Sequence, residues 1–358
     1  MIVFFLLYAV LCLYGMKLHR NLNQSYLSVD NTQSIKGVFI ILVFFSHFNS
    51  YVSFESGLDL IYQNTVGLFG QKMVTMFLFY SGYGVMESIN KKGLNYLKHF
   101  PVNRILATLF KFSCAVFVFF LIGVFVTGQK YEFTTVLLAL IGWKSIGNSN
   151  WYIFVILILY LITYISHRYL LQKNRGIPLA ITFMSIAGLV ALNEVYGVKP
   201  YFWIDTALCY VMGMIYSQYR KIFELIINKK TWGYYLITSL AIVTLAFLQK
   251  YSESTLSLIA LNVCFTIVVL LLTMRITIKN RVIMWCGKNL FEIYILQRIP
   301  MIIFKQLGLS KYNIYVYFAL CLISTLLMVL PFKYITDKLW REVLKISLLF
   351  KYKRQECL

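Results

Sequence analysis

Ile35-Lys36-Gly37-Val38-Phe39-Ile40-Ile41-Leu42-Val43-Phe44-Phe45-Ser46-His47-Phe48 is an apolar run with a lysine near its start and a histidine near its end. A run of this length and apolarity is typical of a helix that crosses a bilayer. Such a helix separates Lys36 from His47 by about 16 Å along its axis. Ionisable groups inside membrane helices are costly and are functional candidates by default. We therefore expect Lys36 at one membrane face and the His47 imidazole near mid-membrane or beyond.

The composition of the whole chain is that of a membrane protein. Hydrophobic residues make up 60% of the 358 residues and charged residues only 13%. A net charge of +21 could suggest nucleic acid, but the lysines and arginines cluster in alternate links between apolar stretches. Membrane orientation explains that pattern, so we expect the lipid bilayer as partner and no nucleic acid.

The apolar stretches predict an all-α integral membrane fold with about eleven transmembrane helices. The predicted spans are 2–16, 36–53, 66–86, 105–127, 151–167, 178–195, 202–219, 233–249, 256–274, 288–306 and 313–332. Basic links follow the first span and then every second one, which places the N-terminus outside and the C-terminus inside the cell. Segment 133–146 is too short to cross, and we expect it to be re-entrant or interfacial on the outer side.

Three regions follow from this map. Residues 1–34 form an N-terminal transmembrane anchor and a cytoplasmic link, 35–332 form the membrane domain, and 333–358 form a basic amphipathic cytoplasmic tail. In the tail, apolar positions such as Trp340 alternate with lysines and arginines, which is typical of a helix lying on a leaflet surface.

Five local patterns, taken in order along the chain, resemble the multi-pass membrane acyltransferases of acyltransferase family 3. They are the run from Lys36 to His47, Phe77-Leu78-Phe79-Tyr80-Ser81-Gly82-Tyr83, the basic turn with Phe100 and Arg104, Asn150-Trp151-Tyr152-Ile153, and Gly287-Lys288-Asn289-Leu290-Phe291-Glu292-Ile293-Tyr294-Ile295-Leu296-Gln297. The resemblance implies a ten-helix acyltransferase core, which spans two to eleven would supply, with the first helix as an addition.

Three features depart from the family pattern. Lys36 stands where arginine is commoner, which keeps the charge but loses the planar fork that grips phosphate in two places. Gln297 stands where many members have histidine, which removes a second imidazole. No extracytoplasmic hydrolase-like segment follows the spans, so we expect the membrane domain to carry out the whole reaction.

Acyl transfer from a thioester to a hydroxyl requires a base, donors for the developing oxyanion and positive charge for an anionic donor. His47 suits the role of catalytic base because an imidazole titrates near neutral pH. Lys36 and Arg104, both expected at the cytoplasmic side, suit the phosphates of acetyl-CoA. Glu292 could pair with Lys36 and orient it.

The supporting residues we expect are hydroxyl, amide and aromatic side chains near these groups. They are Ser81, Asn49, Tyr83, Tyr294, Gln297 and Trp151. No metal is expected, because the helix offers only Ser46 and Asn49 beside His47.

Each of these residues also has a purely structural interpretation. His47 could simply hydrogen-bond a neighbouring helix, Lys36 could be a snorkelling anchor, and Arg104 a topology charge. In the same way, Ser81-Gly82 could serve close helix packing, Trp151 could be an interfacial aromatic, and Glu292 a structural ion-pair partner.

The sequence predicts a membrane O-acyltransferase of the cell membrane. It would transfer acetyl from acetyl-CoA to a hydroxyl of a capsular or other cell-surface polysaccharide or its lipid-linked precursor. The polysaccharide is implied by the resemblance alone. The alternative is a polysaccharide transporter, flippase or polymerase, although a transporter should show internal repeats with broken helices.

Overall fold

A computed structural model describes residues 1–54, 57–170, 176–228 and 231–356. The chain divides into two compact units. The larger unit contains residues 1–101 and 154–290, and the smaller unit contains 102–153 and 291–358. The predicted basic link positions Lys173, Arg175, Lys229 and Lys230 lie outside the described residues.

Helices dominate the fold, as expected, and one short antiparallel strand pair accompanies them. The elements are α1 Ile2–Leu13, β1 Met16–Leu18, α2 Val29–Asn49, α3 Gly57–Phe69, α4 Lys72–Phe100, α5 Ala107–Phe125, α6 Phe133–Leu140, α7 Trp151–Leu170, α8 Gly176–Tyr196, α9 Ala207–Asn228, α10 Thr231–Tyr251, α11 Thr255–Thr273, β2 Ile276–Ile278, α12 Arg281–Lys288, α13 Leu290–Leu296, α14 Arg298–Gln306, α15 Leu309–Tyr312 and α16 Ile314–Glu356. A π-helical turn at Pro101–Leu106 joins α4 to α5.

Six helical stretches in the described part of the chain are long and apolar enough to cross a membrane. They are Gly57–Phe125, which includes α3 to α5, and then Trp151–Leu170, Gly176–Tyr196, Thr231–Tyr251, Thr255–Thr273 and Ile314–Ile346. The total of about eleven and the N-out, C-in orientation stay predictions. The first predicted span contains a helix of only 12 residues, α1. That helix covers about 18 Å, less than the hydrocarbon thickness of a bilayer.

The predicted span 288–306 is not one helix. Asn289 interrupts it between α12 and α13, and Gln297 separates α13 from α14. Pro300 accounts for the second break, because its ring removes one helical donor and clashes with the carbonyl four residues earlier, that of Leu296.

The strand pair was not predicted. Met16 pairs with Ile278 and Leu18 with Ile276. Gly15 enters the pair at a φ of +80°, a left-handed conformation that favours glycine. The pairing places the links that contain Lys17 and Lys279 on one side, as their shared basic charge predicts.

Further contacts in the larger unit group the other links by side. The amino group of Met1 lies 2.5 Å from Asp59 Oδ1, so the N-terminus and the start of α3 share a side. The Tyr26 hydroxyl donates to Glu224 at 2.8 Å, which joins the 17–34 link to the end of α9. Both groupings agree with the topology map from the sequence. The assignment of the basic side to the cytoplasm rests on charge and stays a prediction.

Two pairs of helices in the larger unit pack backbone to backbone through glycines. A Cβ atom at Gly37 of α2 would overlap the Ile283 carbonyl of α12, and one at Gly82 of α4 would overlap the Tyr210 carbonyl of α9. Gly213 of α9 meets the Phe79 carbonyl of α4 in the same way. Small residues at such crossings allow the close approach that membrane helices use for association. This packing fixes α2 and α4, the helices that carry all five candidate residues of the unit.

In the smaller unit, segment 133–146 folds as the short helix α6 and a loop, and it runs back along α5. The Tyr131 ring packs against Phe120 near the end of α5, with ring centroids 5.9 Å apart. Ser113, two turns into α5, donates to the Leu140 carbonyl at 3.1 Å. An eight-residue helix is too short to span. This arrangement is consistent with the predicted re-entrant segment.

Candidate functional site

Helix α2 carries both ends of the predicted Lys36–His47 pair. Ser28 caps its start by accepting from the Asn31 amide at 3.4 Å. Three turns and about 20° of helix separate Lys36 from His47, so the two side chains project from nearly the same face. Both are partly exposed, whereas the neighbouring Phe44 is buried.

His47 occupies the last turn of α2, which has a chemical consequence. The carbonyl of His47 accepts hydrogen bonds from the backbone and hydroxyl of Ser50, at 3.1 and 2.6 Å. Carbonyl groups that end a helix carry partial negative charge and favour a cation beside them. His47 is therefore a candidate catalytic base at the C-terminal end of α2.

Two predicted supporting residues of the larger unit hold neighbouring helices. The Ser81 hydroxyl lies 2.7 Å from the Tyr160 hydroxyl of α7. Asn49 accepts from the Tyr62 hydroxyl of α3 at 2.6 Å. Ser81 therefore belongs to a pair of hydroxyl groups, and one of the two must donate to the other. The pair offers a hydroxyl donor in the same unit as His47.

Tyr83 belongs to a charged network that the sequence did not reveal. Its hydroxyl accepts from Arg220 Nη1 at 3.4 Å, and Arg220 Nε donates to Glu224 Oε1 at 2.7 Å. The Arg220 guanidinium also lies 5.2 Å from the centre of the Tyr26 ring. Burial, reinforced by Tyr216 and Glu224, raises the pKa of the Tyr26 hydroxyl, which therefore stays protonated as a donor. In the sequence, Arg220 belongs to the basic link after the predicted span 202–219, and charge alone assigns it only to topology.

In the smaller unit, Glu292 has a partner that the sequence analysis missed. Lys111 Nζ of α5 lies 3.9 Å from Glu292 Oε1 and 2.6 Å from Asp337 Oδ1 of α16. Lys111 is a cation inside the apolar stretch 105–127, and that anomaly is the signal that could have identified it. The predicted pairing of Glu292 with Lys36 stays a prediction.

The remaining predicted residues also lie in the smaller unit. The Tyr294 ring meets the Tyr152 ring edge-on at 5.3 Å, and Trp151 meets Tyr152 in the same manner at 6.2 Å. Gln297 is fully buried and donates to the Tyr294 carbonyl at 3.2 Å. Arg104 is exposed in the π-helical turn between α4 and α5.

The ten predicted residues are thus divided between the units. The larger unit contains Lys36, His47, Asn49, Ser81 and Tyr83, and the smaller unit contains Arg104, Trp151, Glu292, Tyr294 and Gln297. Within the described ranges, no group of three or more His, Cys, Asp or Glu side chains could hold a metal ion. That the site works without a metal stays a prediction.

The apolar helices and the polar residues set among them define a multi-pass membrane protein with a candidate acyl-transfer site. The acyltransferase domain of acyltransferase family 3 matches residues 31–333. The chain therefore belongs to this family and is a membrane acyltransferase, which confirms the resemblance found in the sequence. No similar curated protein and no similar solved structure was found.

Proposed function

We propose that the protein is an O-acetyltransferase of the cell membrane. It transfers acetyl from acetyl-CoA to a hydroxyl of a capsular or other cell-surface polysaccharide, or of its lipid-linked precursor. The observation that carries the proposal is the geometry of α2, where one helix presents a cation near its start and an imidazole in its last turn. Family membership weighs against the transporter, flippase and polymerase alternatives.

His47 is the proposed catalytic base. A ring nitrogen takes the proton of the sugar hydroxyl as the hydroxyl oxygen attacks the thioester carbonyl. The carbonyl oxygen gains negative charge, for which the Ser81–Tyr160 hydroxyl pair offers the proposed donor. When the carbon–sulfur bond breaks, the imidazolium returns its proton to the leaving thiolate. The products are the acetyl ester and free coenzyme A, and His47 returns to its neutral form.

Lys36 and Arg104 are the proposed contacts for the phosphates of acetyl-CoA. Lys36 lies in the second turn of α2 and is only partly exposed, so its ammonium meets an anion in a partly desolvated place where the attraction is stronger than in water. An ammonium presents a point charge rather than a fork, which is sufficient for attraction but less geometrically selective.

The site for the sugar acceptor is proposed from the chemistry of a group of buried polar residues and from the family. Asn148, Ser149 and Asn150 are buried polar residues after α6, and Asn150 donates to the Gly142 carbonyl at 2.8 Å. Polar groups of this kind suit sugar hydroxyls better than an acyl chain. The choice of a polysaccharide comes from the family resemblance.

The test uses purified protein in membrane-mimetic vesicles with labelled acetyl-CoA and surface glycan from the producing cell. We expect the label to appear on the glycan. Mild alkali should release it, because mild alkali cleaves esters. Mass spectrometry of glycans from cells with and without the gene should show a matching loss of acetyl groups. Unlabelled glycan together with unchanged surface acetylation would reject the proposed reaction.

A further inference from the structure

A cavity lined by charged, polar and apolar side chains opens in the larger unit, where α4 and α9 meet the link that precedes α2. Its volume is about 590 Å³, within the range of about 300–1,000 Å³ for small-molecule sites. One part of the lining is apolar, with Leu22 and Ile222. The contact between Tyr26 and Glu224 places the cavity on the side that the basic links predict to be cytoplasmic.

The two carboxylates of the lining are already neutralised. Glu224 accepts from Arg220 and from the Tyr26 hydroxyl, at 2.7 and 2.8 Å. Glu87 accepts from the Ser217 hydroxyl at 2.9 Å and lies 3.3 Å from Lys91 Nζ. The lining therefore keeps acceptor oxygens without net negative charge.

A second cation of the lining is unmatched. Lys221 also lines the cavity, and it has no carboxylate partner within the part of the chain that the structure describes. The cavity consequently has a surplus of positive charge for an anionic ligand.

The guanidinium of Arg220 is held in place from several directions. Its Nη1 donates to Tyr83, its Nη2 lies 3.5 Å from the Gln24 carbonyl, and the group lies over the Tyr26 ring. A cation fixed before the ligand arrives loses little conformational entropy on binding. Beside it, the side-chain oxygen of Gln218 is buried and has no hydrogen-bond partner among the described residues. That oxygen is an acceptor still to be satisfied by an N–H or O–H group.

The lining combines cations, acceptor oxygens and an aromatic ring, and this combination favours one class of ligand over others. A simple phosphate would use the cations but leave the Gln218 oxygen without a donor. A nucleotide offers phosphates for Arg220 and Lys221, hydroxyl and amino donors for the acceptors, and a flat base for the ring of Tyr219, which also lines the cavity. A nucleotide is therefore the ligand class that satisfies most of the lining.

We propose that this cavity binds the phosphoadenosine end of coenzyme A. The assignment rests on the proposed use of acetyl-CoA as donor. Tyr83 and Glu87 lie one helical turn apart on α4, the helix that also carries Ser81, so the cavity lies toward the same end of α4 as Tyr83. Lys36, in the same unit, is then left for the diphosphate of the donor.

The experiment measures equilibrium binding of coenzyme A and of adenosine 3′,5′-bisphosphate to purified full-length protein. Lys221→Glu reverses an exposed charge in the lining, so the fold should tolerate it. We expect both ligands to bind about tenfold more weakly to this variant, as is typical for one lost charge-assisted contact. Gln218→Leu should weaken both ligands to a lesser degree. Lys98→Glu is the matched control, because it makes the same charge change on exposed α4 surface outside the lining and should bind within about twofold of wild type.

The outcomes separate this inference from the proposed reaction. Lys221-dependent binding of the bisphosphate, competitive with coenzyme A and not with inorganic phosphate, supports the cavity even if no acetyl transfer is found. Equal binding to wild type, Lys221→Glu and Lys98→Glu overturns the cavity while leaving acetyl transfer intact. Acetyl-pantetheine, which lacks the nucleotide, should be used equally by wild type and Lys221→Glu.

Discussion

Lys111 Nζ of α5 lies 2.6 Å from Asp337 Oδ1 of α16, and this ion pair joins the C-terminal helix to α5 within the smaller unit. The Trp340 ring adds to the contact by packing 5.2 Å from the Phe110 ring. Asp337 and Trp340 both lie beyond the family match, which ends at residue 333. The sequence predicts the tail as a helix lying on a leaflet surface, and the structure adds a contact in which Asp337 holds the lysine that also faces Glu292.

The same lysine leads to a stability prediction. Glu292 is nearly buried, and its carboxylate relies on Lys111 at 3.9 Å. Lys111→Met should therefore lower the free energy of unfolding by about 3 kcal/mol, because it leaves a buried charge without its partner. Asp337→Asn should lower the free energy of unfolding by about 1 kcal/mol or less, because the Asp337 side chain is 42% exposed and solvent screens its ion pair with Lys111. Thermal unfolding in detergent measures both.

Coupling between the two partners provides the control. Lys111→Met combined with Glu292→Gln should recover most of the lost stability, because the second change removes the uncompensated charge. A double variant as unstable as the sum of the two singles would show that Lys111 and Glu292 do not interact.

Removal of the proposed base should affect catalysis alone. His47→Ala is expected to abolish acetyl transfer, and His47→Gln to lower kcat by about 100-fold or more, which is the range for a lost general base. Membrane abundance should match wild type, because the helix remains apolar. Wild-type glycan acetylation in cells that carry His47→Ala would remove His47 from the mechanism.

Patterns that are local in the sequence predicted much of the fold. Contacts between residues far apart in the chain could not be predicted in this way. Long apolar runs predicted the helices α2, α7, α8, α10 and α11, and shortness alone singled out 133–146. The pairing of Met16 with Ile278 joins residues far apart in the chain, and three-residue strands carry almost no periodic signal. Lys111 was overlooked because its partner Asp337 is distant, although a cation in an apolar stretch was a sufficient warning.

Lys36 and His47 should affect different kinetic constants. The two lie three helical turns apart, too far for direct contact, so they serve different parts of a long donor. Lys36→Gln should mainly raise the KM for acetyl-CoA, whereas Lys36→Arg should retain substantial activity because it keeps the charge. An unchanged KM in Lys36→Gln would leave Lys36 as a topology anchor.

The side assignment can be checked with introduced cysteines in a background whose native cysteines are removed or shown to be unreactive. Lys91 is 73% exposed on a predicted cytoplasmic link, and Gly57 is exposed at the start of α3 on a predicted outer link. In intact cells, Gly57→Cys should react with an impermeant thiol reagent and Lys91→Cys should react only after lysis. The reverse pattern would invert the map and place Lys36 on the outer side.

Two glycines of α4 should respond very differently to the same substitution. A methyl group at Gly82 would overlap the Tyr210 carbonyl, which is backbone and cannot rotate away, whereas nothing lies within 4 Å of one at Gly84. Gly82→Ala should therefore push α4 away from α9 and cost about 1–3 kcal/mol of stability, while also lowering activity through the displaced Ser81. Gly84→Ala should be neutral or stabilising by up to about 1 kcal/mol, because alanine is the better helix former. Thermal unfolding and acetyl transfer of the two variants are measured side by side. Equal stability and equal activity would mean that Gly82 does not set the distance between α4 and α9.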